Sequence, residues 1–202
     1  MDKLKGKFDH PHEHAPQGWD EFFNDLGVKV YRKLKQGTQF KYRTFGVIQC
    51  PASEYFSFYK DLDNWRKWDE NVDDLSIIER QTEAVDIVYW SVKFPFPLSN
   101  RDYIYRRHAK YYDSHKMWVI SCRTCEHDSK KPSSKRVRVT NYKMVQVLRE
   151  SDNGMCQTFI EHYDDPQINA PSWLLNWVTK TAIPKFMSKL TVECKKYIKQ
   201  KK

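Results

Sequence analysis

Two places in the chain bring metal-ligand side chains together. Cys122-Arg-Thr-Cys125, with His127 two residues on, has the spacing of a zinc half-site, but no second CxxC and no HxxxH follows it. It also falls in a run that reads as a β-strand, where an offset of three turns the two thiols to opposite faces. His10, His12 and His14 alternate beside Pro11 in a polar leader with no core around it, and read as a passive tail. No metal site is expected. Phosphate and acyl-transfer chemistry finds no support either, because the glycines at 6, 18, 27, 37, 46 and 154 are isolated. They allow no phosphate-cradling loop, no dinucleotide turn and no nucleophile elbow. His108, His115, His127 and His162 each stand apart from any nucleophile in the local pattern. These residues point to a protein that is not an enzyme and needs no cofactor.

A different chemistry is written in residues 88–105, VYWSVKFPFPLSNRDYIY, where aromatic and aliphatic side chains enclose two prolines and the adjacent Arg101 and Asp102. Such charges need partners: they read either as a strand-start ion pair or as a ligand contact. Pro95 and Pro97 cannot donate to a ladder, so a loop interrupts the sheet there.

The elements that must position these residues follow from composition and pattern. Hydrophobic residues make up 40% and aromatic residues 15% of the 202, too much large apolar surface for a disordered chain although mean hydropathy is −0.82. The length fits one domain, residues 19–202, after a flexible leader over 1–18. No apolar run approaches the roughly 18 residues of a membrane span, and the start lacks an apolar signal segment. Five scattered cysteines suit a reduced, cytoplasmic compartment.

Alternating β-branched and aromatic residues predict strands over 28–32, 40–49, 75–79, 85–94, 103–111, 117–124, 137–148 and 157–163. Short connections at Asp113-Ser-His and Asp152-Asn-Gly imply hairpins and an antiparallel sheet. Residues 19–26 read as a short helix, and 52–71 as one or two more, with Phe56, Tyr59, Leu62, Trp65 and Trp68 at spacings of three. Residues 171–199 form a long basic helix with one apolar stripe, started at Pro171-Ser172 and kinked or divided after Ile183 by Pro184. Most of the net charge of +9 sits here, in eight lysines from 180 to 202 against one acid, Glu193. The lysines are solvated or face an anionic bilayer; no base-reading motif accompanies them, so nucleic acid is not expected.

The sequence resembles the START (steroidogenic-acute-regulatory-related lipid-transfer) domain family from about Trp19 to Lys196. The resemblance rests on VYRKLKQGTQFKYRTFGVI (30–48), WRKWD (65–69), VYWSVKFPFPLSNRDYIY (88–105), RVRVTNYK (136–143) and PSWLLNWVTKTAIPKF (171–186). It implies an α+β helix-grip fold: a curved antiparallel sheet, an incomplete barrel, around a lipid cavity closed by the long C-terminal helix. The implied task is to bind one phospholipid, phosphatidylcholine first among them, and to exchange it between membranes as a monomer in the cytoplasm with transient membrane contact. Carriage of phosphatidylethanolamine, ceramide or sterol, and a lipid-sensing interaction module, are alternatives on the same fold.

In phosphatidylcholine-binding members of the family an aromatic cage surrounds the choline, and its positions fall here on Trp90, Tyr103 and Tyr142. The phosphate partner is an arginine with an aspartate one helical turn later. Asp69 matches the aspartate, but Trp65 stands at the arginine position, which leaves the adjacent Arg66, at i, i+3 from Asp69, or Arg101 as the cation. Trp173, Trp177 and Phe186 with Lys195, Lys196 and Lys199 are the expected lid and membrane contact.

Overall fold

Strands form where β-branched and aromatic residues alternate, and helices where apolar residues recur every three or four positions. The computed structural model describes residues 17–36, 39–165, 167–168 and 171–201. Among these, one sheet contains β1 (Asp20–Asp25), β2 (Val28–Gln36), β3 (Gln39–Ile48), β4 (Val72–Thr82), β5 (Val85–Val92), β6 (Asn100–Tyr112), β7 (Met117–Thr124), β8 (Arg136–Val139), β9 (Tyr142–Glu150) and β10 (Cys156–Asp164). The strand order is β1-β2-β3-β10-β9-β7-β6-β5-β4, with β8 off this path and parallel to the start of β6. Register shifts in β4 against β5, at three points, bend that edge of the sheet. The helices are α1 (Ala52–Lys60), α2 (Leu62–Trp68), α3 (Ser172–Trp177), a π-helical turn Val178–Ala182, and α4 (Ile183–Gln200).

Three features differ from the sequence reading. Residues 19–26 are not a helix. Residues 20–25 pair with β2 as an edge strand, joined by a two-residue turn in which Leu26 (φ 54°) and Gly27 (φ 73°) are both left-handed. That turn matches the twist of a hairpin and forces the strand back on itself. The run 137–148 is two strands: β7 ends at Thr124 opposite Tyr105, so the edge of β6 at 100–103 is open to β8, and the chain must break at Thr140-Asn141 to re-enter beside β7 as β9. The C-terminal helix divides at the π turn, one turn ahead of Pro184. Proline lacks an N–H and would strike the carbonyl four residues back; the widened turn absorbs this, and Pro184 sits in the first turn of α4. The leader residues 1–16, His10, His12 and His14 among them, lie outside the described residues.

Strand alternation places Val88, Trp90 and Val92 of β5 and Tyr103, Tyr105 and Ala109 of β6 on the face that packs with Leu62 and Trp65 of α2. Ile87, Tyr89 and Ile104 go to the opposite face. Helix α4 turns Leu190, Cys194 and Tyr197, spaced i, i+4, i+7, toward Tyr55 and Phe58 of α1 and Leu148 of β9. Phe58 is fully buried, in ring contact with Trp65, Trp68 and Tyr197. Burial of such a ring contributes about 1.5–3 kcal/mol, so this cluster fastens the helix across the mouth of the curved sheet. The arrangement is the expected helix grip, and no helix among the described residues is long and apolar enough to cross a membrane.

Candidate functional site

Between the inner face of the sheet and the helices lies a cavity of about 380 Å³. Trp90, Tyr105, Tyr142 and Met144 form its sheet side, and Tyr55, Tyr59, Trp65 and Phe186 its helix side. A second cavity, about 340 Å³, opens between Val92 and Phe94 on one side and Leu174, Trp177 and Ile183 of the C-terminal helices on the other. Asp69, Trp90 and Phe186 line both, so two rings and a carboxylate form the partition. Walls this rich in apolar surface suit an amphiphile with long chains.

The structure brings Trp90, Tyr103 and Tyr142 together. Trp90 and Tyr103 are register partners across β5 and β6, and their rings stack at 4.9 Å. Tyr142 opens β9 and reaches past the end of β7 to meet Tyr103 edge-on at 5.4 Å. Tyr105 adds a fourth ring, 5.5 Å from Tyr142. The Tyr103 hydroxyl donates to Asp164 at 3.1 Å. Burial holds the phenols of Tyr103, Tyr105 and Tyr142 well above their usual range, with the Asp164 charge adding to the effect at Tyr103. The rings are therefore neutral, and their faces are the negative surfaces that attract an alkylammonium group. Burial also lowers the pKa of His162, which lines the same cavity and stacks on Tyr42, so its imidazole is neutral near pH 7.

The expected pairing of Arg66 with Asp69 does not form. Asp69 is buried at the C-terminus of α2 and accepts from Trp65 Nε1 at 3.3 Å and from the Asn71 N–H at 3.0 Å. Arg66 is exposed and faces Asp74, 3.9 Å away. The reason is helical phase: position i−4 lies over Asp69, whereas one residue further on the side chain is rotated by about 100°. Arg101 and Asp102 are not paired with each other, because neighbours on a strand point to opposite faces. Asp102 takes a bidentate bond from Arg138, both distances 2.9 Å, and the Tyr89 hydroxyl at 3.2 Å. Arg101, on the face of Tyr103, lies over the Phe94 ring at 4.5 Å and donates to the Ser99 carbonyl. Burial lowers its pKa.

The residues expected to form the lid divide by depth. Phe186 faces both cavities and Trp177 the second, while Trp173 is 44% exposed. Lys195, Lys196 and Lys199 are exposed, the first bonded to Gln49 and the second to Glu193. Cys122 and Cys125 sit on opposite faces of the sheet, and burial pushes the Cys122 thiol up to about 12.

Sequence reasoning missed three features. One is Phe96, 94% exposed at the tip of the loop whose Phe94 lines the second cavity. Another is the Trp65–Asp69 bond, which the i, i+4 spacing could have shown. The third is a buried ion pair, Arg107 Nη2 to Asp86 at 2.7 Å, between register partners at the inner end of the first cavity. No local signal marks it.

A family model described as START domain matches residues 10–201. The chain is 33% identical to the phosphatidylcholine transfer protein of Rattus norvegicus over 186 residues, 90% of this chain and 86% of that one. It is 32% identical to the Homo sapiens phosphatidylcholine transfer protein over 190 residues, 92% and 88% of the two chains. The crystal structure of human STARD10 superposes with a TM-score of 0.79 at 25% identity, covering 100% of this chain and 82% of that chain. The rat and human relatives are named as transfer proteins, and the chain belongs to the START domain family.

Proposed function

We propose that the protein carries one phosphatidylcholine at a time, with the choline against Trp90, Tyr103 and Tyr142 and the acyl chains in the aromatic-walled cavities, and hands it between membranes. The observation that carries this reading is the convergence of Trp90 and Tyr142 on the first cavity beside two carboxylates, Asp69 and Asp164, with Tyr103 packed behind them against both rings. A quaternary ammonium cannot donate hydrogen bonds; aromatic faces and nearby negative charge are what attract it, at about 0.5–2 kcal/mol per ring. Each buried CH₂ adds about 0.8 kcal/mol. The names of the rat and human relatives support the same cargo. Arg101, on the cage face of β6, is the proposed counter-charge for the phosphate, in place of Arg66.

In this reading Phe96 and Trp173 enter the bilayer surface at the mouth of the second cavity, and the lysines of α4 approach anionic head groups. The carrier works as a cytoplasmic monomer without cofactor or metal. Its test is transfer of labelled lipid between vesicles. Trp90→Ala combined with Tyr142→Ala should slow phosphatidylcholine transfer about tenfold or more while sparing phosphatidylethanolamine; equal losses for both lipids would remove the cage.

A further inference from the structure

A thiol pair lies beneath the lid, apart from both cavity walls. Cys50 follows β3 in the turn that leads into α1, and Cys194 projects from α4. Their Sγ atoms are 3.1 Å apart, in a hydrogen bond between residues 144 positions apart in the chain. Both side chains are buried, at 6% and 1% exposure, and both thiols are free. Cys156 of β10 is close in the backbone, its N–H donating to the Cys50 carbonyl at 2.8 Å, but its own Sγ turns to the Gln157 carbonyl at 3.7 Å. Cys50 and Cys194 thus face each other across the contact that seats α4 on the sheet.

We propose that Cys50 and Cys194 are a site of reversible oxidation, which hydrogen peroxide closes to a disulfide that holds α4 down on the sheet and slows cargo exchange. When the helix lifts, the Cys194 thiolate attacks the peroxide; an S–O bond forms, the O–O bond breaks, and hydroxide leaves, giving a sulfenic acid. When the helix returns, the Cys50 sulfur attacks the Cys194 sulfur. The S–S bond forms, the S–O bond breaks, and the proton of Cys50 leaves with the oxygen as water. The net change oxidises two thiols and reduces one peroxide to two waters. Either sulfur can donate in the resting contact; Cys194 is taken as the attacking thiol because α4 carries it away from the sheet when the helix lifts. Thiol–disulfide exchange with a small thiol would reverse the closure. The gating effect rests on the carrier reading above; the thiol chemistry does not.

The test treats the full chain with hydrogen peroxide, alkylates remaining thiols, maps non-reduced peptides and measures phosphatidylcholine transfer between vesicles before and after reduction. The expected result is a Cys50–Cys194 linked peptide, transfer slowed about tenfold, and recovery on adding reductant. Cys50→Ser should transfer lipid normally and ignore peroxide. A peptide linking Cys50 to Cys156, or no linked peptide, would overturn the site; a Cys50–Cys194 link with unchanged transfer would overturn the gating. Reduced wild-type protein that moves no lipid would refute the carrier reading and the gating with it, while the peptide map alone decides the thiol site.

Discussion

The two ends of the first cavity solve opposite problems with similar residues. At the inner end Arg107 and Asp86 are both buried and paired at 2.7 Å, with Arg80 Nε at 3.3 Å as a second cation on Asp86 and the Lys60 carbonyl as a further acceptor for Arg107 at 3.4 Å. At the outer end Asp69 and Asp164 accept, among the described residues, from neutral donors: the Trp65 and Asn71 N–H groups and the Tyr103 hydroxyl. A charge closed on its partner shapes a cavity; carboxylates beside neutral rings favour a positive group brought from outside. Register alone separates the two ends, since Trp90–Tyr103 and Asp86–Arg107 are pairs on the same two strands, four residues apart. In the proposed reading the head group sits at the outer end and the chains occupy the rest.

That assignment can be broken by mutation. Arg107→Leu leaves buried Asp86 with only the mostly exposed Arg80, whose Nε is 3.3 Å away, and should cost about 3 kcal/mol in urea denaturation. Replacing both partners by leucine should recover most of this loss, and the lipid that co-purifies should keep its head group. A changed head-group preference in the double variant would place recognition at the inner end. A smaller effect is expected on the lid. Neutralising Lys195, Lys196 and Lys199 should weaken binding to anionic vesicles by about 1 kcal/mol per charge at low salt, and the difference should shrink as salt rises. Association independent of ionic strength would count against an electrostatic contact by α4.

The sequence showed the sheet clearly where the period of two was strong, as in β5, β7 and β10. It misled at residues 19–26 because Trp19, Phe22, Phe23 and Leu26 are spaced i, i+3, i+4, i+7 like a helical stripe, while the hairpin turn hides its left-handed first residue behind a leucine. It ran β8 into β9 because Thr140 and Asn141 carry no strong break signal, and the cause of the break is the length of β7, a distant strand. Trp90, Tyr103 and Tyr142 were legible as a group only through the family resemblance; by pattern each is an ordinary strand aromatic. Asp69 was legible too, but its partner depended on helical phase, which favours Trp65 over Arg66. Asp86–Arg107 and Cys50–Cys194 were out of reach, because cross-strand register and helix docking bring them together.

The central claim, that the outer end of the cavity selects a choline lipid, is tested most directly by native mass spectrometry of the purified protein followed by extraction and identification of what it holds. The account predicts one phosphatidylcholine per chain, lost when Trp90 and Tyr142 are both alanine. A stoichiometric sterol, ceramide or phosphatidylethanolamine would contradict it.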